Sequence, residues 1–235
     1  MSATRLSPVH AQLAVLRPQW EERHGMEIAS RIAGDDASKL EAVALADLSF
    51  LPKFGLKGPA AEQWLASQDI LLAPTANSWA ALAGHGVIAR LGKNEFFLED
   101  TTASGTVGSV RTALGSGAPG VYPVIRQDAG FALAGKQVNE LLVQTCNVNF
   151  AQFNPQERIA VMTQMIGVSI LAIRTDYKEM PCYRIWCDPT FVPYFWETVA
   201  EIAGELGGGV IGADGLPGKA GGATATIQPR EYRVQ

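Results

Sequence analysis

The feature that most restricts the fold is a strand-turn-helix device that the chain uses twice. In Phe54-Gly55-Leu56-Lys57-Gly58-Pro59-Ala60-Ala61-Glu62-Gln63-Trp64-Leu65, Phe54 and Leu56 alternate as in a half-buried strand. Gly58 breaks the strand, and Pro59 suits the first turn of a helix, where a missing N–H costs nothing. Ala61, Trp64 and Leu65 then mark one helical face. The stretch Phe131-Ala132-Leu133-Ala134-Gly135-Lys136-Gln137-Val138-Asn139-Glu140-Leu141-Leu142 repeats this pattern position for position. Phe131 stands for Phe54, Leu133 for Leu56, Gly135 for Gly58, and Leu141-Leu142 for Trp64-Leu65.

Each copy continues in the same order. The first runs into two apolar strands, Gly86 to Arg90 and Glu95 to Glu99, and a helical segment from Thr106 to Leu114. The second gives strands at Val168 to Ile173 and Tyr183 to Cys187, then a helix between Pro189 and Leu206. The expected fold class is therefore α+β, built from internally duplicated β-α-β-β-α units related by a pseudo-two-fold. One such unit closes its own core poorly, so the copies either share one sheet or pack face to face. The expected organisation is a helical leader over 1–43, a first unit over 44–119, a second unit over 120–208, and a Gly-rich linker with a C-terminal arm over 209–235.

Composition removes several functions. The net charge of −4 leaves no electrostatic footprint for nucleic acid or an anionic membrane. No apolar run reaches the ~20 residues that span a bilayer, and Met1-Ser2-Ala3-Thr4-Arg5 opens no secretory signal. Cys146, Cys182 and Cys187 are too few and too oddly spaced for a disulfide framework, which points to a reducing, cytoplasmic setting. Cys182 and Cys187 lie an odd number of residues apart on one strand and should face opposite sides, which spoils a metal pair.

The candidates for chemistry are sparse. His10, His24 and His85 have no partner pattern and read as surface or turn residues. Asp35-Asp36 reads as a solvated turn. Lys53 and Lys57 alternate on the first strand; they either meet an anion near Gly58 or are exposed lysines beside a turn. Gly115-Ser116-Gly117-Ala118-Pro119-Gly120 matches G-x-G-x-x-G, but it follows a helix and precedes a strand, the reverse of a dinucleotide fingerprint. No nucleophile elbow, phosphate loop or zinc pair occurs, so no catalytic or metal-binding residue is assigned and the cofactor-binding residues stay unknown. The partner-interface candidates are Phe150 and Phe153, which are either exposed in a shaped loop or folded inward, and Tyr194 and Trp196, which are either core edge or a subunit contact. Ser7-Pro8 reads as a helix start, Trp79 to Leu82 as a short helical patch, and Phe191, Phe195, Val199, Ile202 and Leu206 as the buried stripe of the last helix.

Asp47-Leu48-Ser49 followed by Phe54-Gly55-Leu56-Lys57-Gly58-Pro59-Ala60-Ala61 resembles the opening motif of the gamma subunit of heterotetrameric sarcosine oxidase. Ser7-Pro8-Val9-His10 resembles the N-terminus of the related glycine-cleavage T-protein. Gly135 to Phe153 and Tyr183 to Trp196 resemble the second half of the gamma subunit. The resemblance implies a T-protein-like fold and a gamma-type accessory subunit of a folate-linked sarcosine oxidase or related N-methyl amine oxidase. It implies an alpha-type flavoprotein partner with beta and delta subunits, and FAD, FMN, NAD and tetrahydrofolate held by those partners, with none bound by this chain alone. The same resemblance carries an alternative, a stand-alone tetrahydrofolate-binding one-carbon transferase. Two departures stand out. Gly84-His85-Gly86-Val87-Ile88-Ala89-Arg90-Leu91-Gly92, which matches the T-protein stretch that ends in a folate-supporting carboxylate, holds no acid. Asn149-Phe150 replaces an Asp-Leu pair usual in gamma subunits.

Overall fold

A computed structural model describes residues 4–82, 86–101, 105–177 and 180–216. The leader is a small sheet rather than a helical segment. It holds β1 (Arg5–Leu6), a short α1 (His10–Ala14), β2 (Gln19–Arg23) and β3 (Met26–Arg31), with strand order β1-β3-β2. The turn signal at Gly25 closes the β2–β3 hairpin, in which His24 adopts φ 50° and Gly25 φ 69°. Its polar look follows from exposure: β2 is half-buried or exposed throughout, while β3 buries Met26, Ile28 and Ala29. Next come α2 (Asp36–Glu41), capped by the Asp35 carboxylate on the Ala37 and Ser38 amides, and β4 (Ala44–Asp47).

The first strand-turn-helix is β5 (Lys53–Lys57) and α3 (Ala61–Ser67), followed by β6 (Ser78–Ala81), β7 (Val87–Gly92), β8 (Glu95–Glu99), α4 (Thr106–Gly115) and β9 (Tyr122–Val124). The second is β10 (Ala129–Ala134) and α5 (Val138–Thr145), followed by β11 (Ala160–Met165), β12 (Val168–Arg174), β13 (Cys182–Cys187), α6 (Val192–Glu205) and β14 (Gly209–Val210). Each device thus gains a strand between its first helix and the expected strand pair. Trp79 to Leu82, expected as helix, contributes to β6, which pairs with β7. The second sheet gains β11, paired along its whole length with β12.

The strands form two larger sheets, ordered β6-β7-β8-β5-β9 and β11-β12-β13-β10-β4-β14. The two orders match over five strands, namely a three-strand meander, the strand that opened the device and one further strand, after which the second sheet adds β14 at its edge. That further strand comes from outside the expected boundaries. β4 precedes β5 in the chain but pairs with β10, whereas β9, past residue 119, pairs with β5. The two glycines also do the same work. Gly58 and Gly135 have φ 134° and 138°, and a Cβ there would lie 2.2 Å from the carbonyl oxygens of Gly120 and Ala42 respectively. Those carbonyls accept from the Ala60 and Gln137 amides at 3.1 and 2.9 Å.

The sheets pack face to face between two helical layers. Phe54, Leu56, Ile88, Phe96 and Leu98 cover α3 and α4, through Ala61, Leu65, Val107 and Val110. Phe131, Leu133, Tyr183 and Ile185 cover α5 and α6, through Leu141, Phe195 and Val199. Between the sheets lie Val87, Ala89, Phe97, Ala160, Ile173 and Trp186. The small sheet packs beside β4 and β10 through Met26, Ile28, Ala44 and Ala132.

Two other expectations are corrected. The last helix buries Val192, Phe195, Trp196, Val199 and Ala203, with Phe191 left 54% exposed, because a 3-10 turn capped by Asp188 delays its start to Val192. The stretch expected as a flexible linker begins in ordered structure: Gly209–Val210 pair with β4, and Ile211, Ala213 and Leu216 are buried. The rest of the linker and the C-terminal arm, 217–235, lie outside the described residues, as do Gly84 and His85. Cys182 and Cys187 do face opposite sides, one toward the small sheet and the other toward the α5 and α6 core.

Candidate functional site

The layer between the sheets is not wholly apolar. In the antiparallel β5–β8 ladder Lys53 stands opposite Glu99, and the parity that turns Phe54 and Leu98 toward the helices turns these two toward the facing sheet. On that sheet Arg184 and Trp186 share the same inward parity of β13. Glu99 is fully buried, and the side chains of Lys53 and Arg184 are 3% and 8% exposed. Every oxygen of Glu99 is engaged. Oε2 accepts from Trp186 Nε1 at 2.7 Å and faces Lys53 Nζ at 3.2 Å; Oε1 pairs with the Arg184 guanidinium. Lys53 Nζ also donates to the Ser49 and Leu51 carbonyls at 3.2 and 3.0 Å. A Cβ at Gly130, the partner of Trp186 across the β10–β13 ladder, would stand 3.3 Å from Lys53, Glu99 and Trp186, so this position admits nothing larger without rearrangement.

A second carboxylate joins the cluster. Asp47, also buried, accepts from the Ser7 hydroxyl at 2.5 Å and from the Ser49 hydroxyl and amide at 2.6 and 3.0 Å. Ser7 therefore ties the leader to the core, while its Oγ also accepts from the Val9 amide ahead of α1. Burial raises the Asp47 carboxyl, against the pull of its Ser49 and Ser7 hydrogen bonds. Burial pushes the Lys53 ammonium down to about 7, with Asp47 opposing and Arg184 assisting. Burial pushes Arg184 down to about 10, which leaves it charged at neutral pH. Two basic and two acidic side chains meet here. They are spent on one another and on backbone carbonyls, so the cluster acts as a clamp between the sheets, with no group turned to a reactant.

The positions expected to carry function are scattered around this clamp. Phe150 and Trp196 are only 3% and 2% exposed, which removes both as surface contacts. Phe150 meets Tyr183 and Phe153 edge-on at 5.4 and 6.1 Å, and Trp196 packs on Phe131 at 5.4 Å. Phe153 is half-buried, and Tyr194 is 55% exposed beside Phe191 on the outside of α6. Lys57 is exposed and Lys53 is not, so the two lysines share no anion site. From Gly86 to Gly92 there is no acid, as expected, but Glu99 stands directly across the ladder from Val87. His10 does have partners: its ring stacks on Trp20 at 4.4 Å and bonds Glu27 at 2.8 Å. Among the described residues no group of three or more His, Cys, Asp or Glu could hold a metal ion, and no helix is long and apolar enough to cross a membrane.

Two sheets packed face to face between helical layers make a fold similar to that of the glycine-cleavage T-protein. The glycine cleavage system aminomethyltransferase T from Bartonella henselae superposes with a TM-score of 0.71 at 13% identity, over 90% of this chain and 60% of that one. The chain thus spans well under two thirds of that relative. A chain of the heterotetrameric sarcosine oxidase from Corynebacterium sp. U-96, in complex with pyrrole 2-carboxylate, superposes with a TM-score of 0.59 at 19% identity, over 85% of this chain and 95% of that one. At these identities the likeness is one of fold. No family model matches the sequence, and no curated protein matches it either.

Proposed function

We propose that the chain is a gamma-type accessory subunit of a heterotetrameric, folate-linked sarcosine oxidase or related N-methyl amine oxidase, working in the cytoplasm. In this reading it does no redox chemistry itself. The flavins, NAD and tetrahydrofolate belong to alpha, beta and delta partners, and the chain packs on the alpha-type flavoprotein. The observation that carries the reading is the filled centre: Glu99, Lys53, Arg184 and Trp186 close the space between the sheets and satisfy one another. The reciprocal superposition on a sarcosine oxidase chain, 85% of one and 95% of the other, adds support. So does the match of strand order and of the Gly58 and Gly135 clamps, which favours a duplicated unit with a pseudo-two-fold between the sheets. The partner surface is the outer face of α6 around Phe191 and Tyr194, two large side chains more than half exposed side by side.

The test is co-expression with candidate flavoprotein subunits. The chain should be colourless alone and should elute with a yellow partner, and the Tyr194→Glu form should not. A chain that stays monomeric beside every candidate alpha-type subunit overturns the reading. The closer superposition on an aminomethyltransferase favours one rival, a stand-alone tetrahydrofolate-binding transferase. Calorimetry separates them: binding of tetrahydrofolate to the isolated chain tighter than about 10 μM, roughly −7 kcal/mol, selects the rival.

A further inference from the structure

A cleft on the α5 side of the second sheet contains donors that the fold leaves unanswered. Its walls include Trp79, Phe153, Pro155, Arg158, Arg174 and Tyr183. Two backbone links draw these walls together: the Trp79 amide donates to the Arg158 carbonyl at 2.8 Å, and the Ala160 amide to the Asn77 carbonyl at 2.8 Å. The Arg158 guanidinium lies over the Trp79 ring, 5.4 Å from its centroid. It makes no ion pair or hydrogen bond among the described residues, in a chain of net charge −4. The indole Nε1 of Trp79 is buried and has no acceptor among the described residues. Arg174 brings a second guanidinium, whose Nε donates to Asp176 at 2.7 and 3.0 Å and which also meets the Tyr183 hydroxyl. One carboxylate thus answers two guanidiniums, and a buried N–H without an acceptor costs about 1–3 kcal/mol. The floor of the cleft has room for about one water-sized group.

We propose that this cleft is a carboxylate-binding site, in which Arg158, backed by the Trp79 ring, grips the anion and Arg174 lies behind it. A carboxylate fits because it is planar and accepts two parallel N–H bonds from a guanidinium, and it sits at the mouth of the cleft, above a floor that takes one water. The body that carries it rests outside, against the half-buried Phe153 and Pro155. The carboxylate comes either from a free small acid or from an acidic side chain of a protein. The site stands apart from the clamp between the sheets and does not rest on the subunit reading.

The experiment follows the indole N–H resonance of Trp79, identified by its loss in Trp79→Phe, during titration of the full chain at constant ionic strength. The probes are acetate, benzoate, the neutral analogue acetamide, and a blocked triglutamate peptide. Acetate and benzoate should move the signal saturably, and acetamide should not. Arg158→Gln should weaken both acids by about tenfold, the worth of one charge-assisted bond, while the remaining indole signals stay in place and report an intact fold. Tighter binding of benzoate than of the peptide assigns a free small acid, and the reverse order assigns a protein side chain. The proposal is overturned by the absence of a saturable shift, by an equal response to acetamide, or by unchanged binding in Arg158→Gln. It is also overturned if a long-lived water holds the Trp79 N–H and persists at saturating carboxylate.

Discussion

Replacing Glu99 by Gln tests the clamp between the sheets most directly. The amide keeps the shape and can still accept the Trp186 N–H, but it removes the only negative charge among the described residues that faces both Lys53 and Arg184 at contact distance. A unit pair at the 3.2 Å separation of Lys53 and Glu99 interacts by about 5 kcal/mol at an effective dielectric of ~20. Measured losses on breaking buried pairs run at about 3–5 kcal/mol, since the orphaned charge stays buried. Against a total stability of about 5–15 kcal/mol, that is a large fraction. Urea unfolding at pH 6, where the Lys53 ammonium is protonated, should show by tryptophan fluorescence a loss of about 3–5 kcal/mol for Glu99→Gln. Lys53→Met alone should cost less, because Glu99 keeps Arg184. The double variant should recover part of the Glu99→Gln loss, since it removes one of the two uncompensated cations, and should deviate from additivity by about 0.5–3 kcal/mol. A Glu99→Gln loss below about 1 kcal/mol, or strict additivity, refutes the clamp.

The Lys53 ammonium gives a pH signature. Burial holds it down at about 7 from an ordinary 10.5, so within that window the unfolded chain binds a proton that the folded chain does not. Its contribution is full above about 10.5, falls as the pH falls, and levels off below about 7. Unfolding at pH 7 and pH 9 should show the wild type gaining on Lys53→Met as the pH rises; a flat difference counts against the assignment. Gly58→Ala and Gly135→Ala should each destabilise by about 1–3 kcal/mol or more, because both residues have φ near 135° and a Cβ would strike a carbonyl oxygen. Thermal melts should place the two losses within about 1 kcal/mol of each other, and a melting temperature like the wild type's at either position would contradict equivalent clamps. Tyr194→Glu should leave stability within about 0.5 kcal/mol while abolishing co-elution with the flavoprotein partner; a clear loss of stability would instead place Tyr194 in the core.

The two strand-turn-helix devices were legible because backbone geometry imposes them. Only glycine sits easily at the φ of Gly58 and Gly135, so each turn announces itself, and the flanking Phe54-Leu56 and Phe131-Leu133 alternations point to their own helices. The clamp was not legible. Lys53, Gly55 and Lys57 look like the wet face of a strand, and nothing local shows that a second sheet covers the Lys53 end but not the Lys57 end. The cue that existed was cross-strand: Lys57 opposite Glu95 and Lys53 opposite Glu99 once β5 and β8 pair in register. β6 escaped because Ser78-Trp79-Ala80-Ala81 is short and half alanine, and its strand state depends on β7 and the Arg158 carbonyl. β14 is two residues, one of them glycine, held by β4 and by the Lys39 ammonium on the Val210 carbonyl. Trp196 was placed off the buried stripe because the stripe was phased from Phe191, a residue that precedes the helix.

The crossing of β4 into the second sheet bears on how the protein emerges from the ribosome. Strands β5 to β9 form the first sheet with one another, so that sheet can close while the rest of the chain is still being made, and only the outer edge of β6 waits for its later bridge to Arg158 and Ile159. β4 leaves the exit tunnel before any of them, yet it must wait for β10 on one edge and β14 on the other. Throughout that interval Ala44-Leu45-Ala46 is an unpaired apolar strand, and this short segment is where a nascent chain of this design most needs a chaperone's cover.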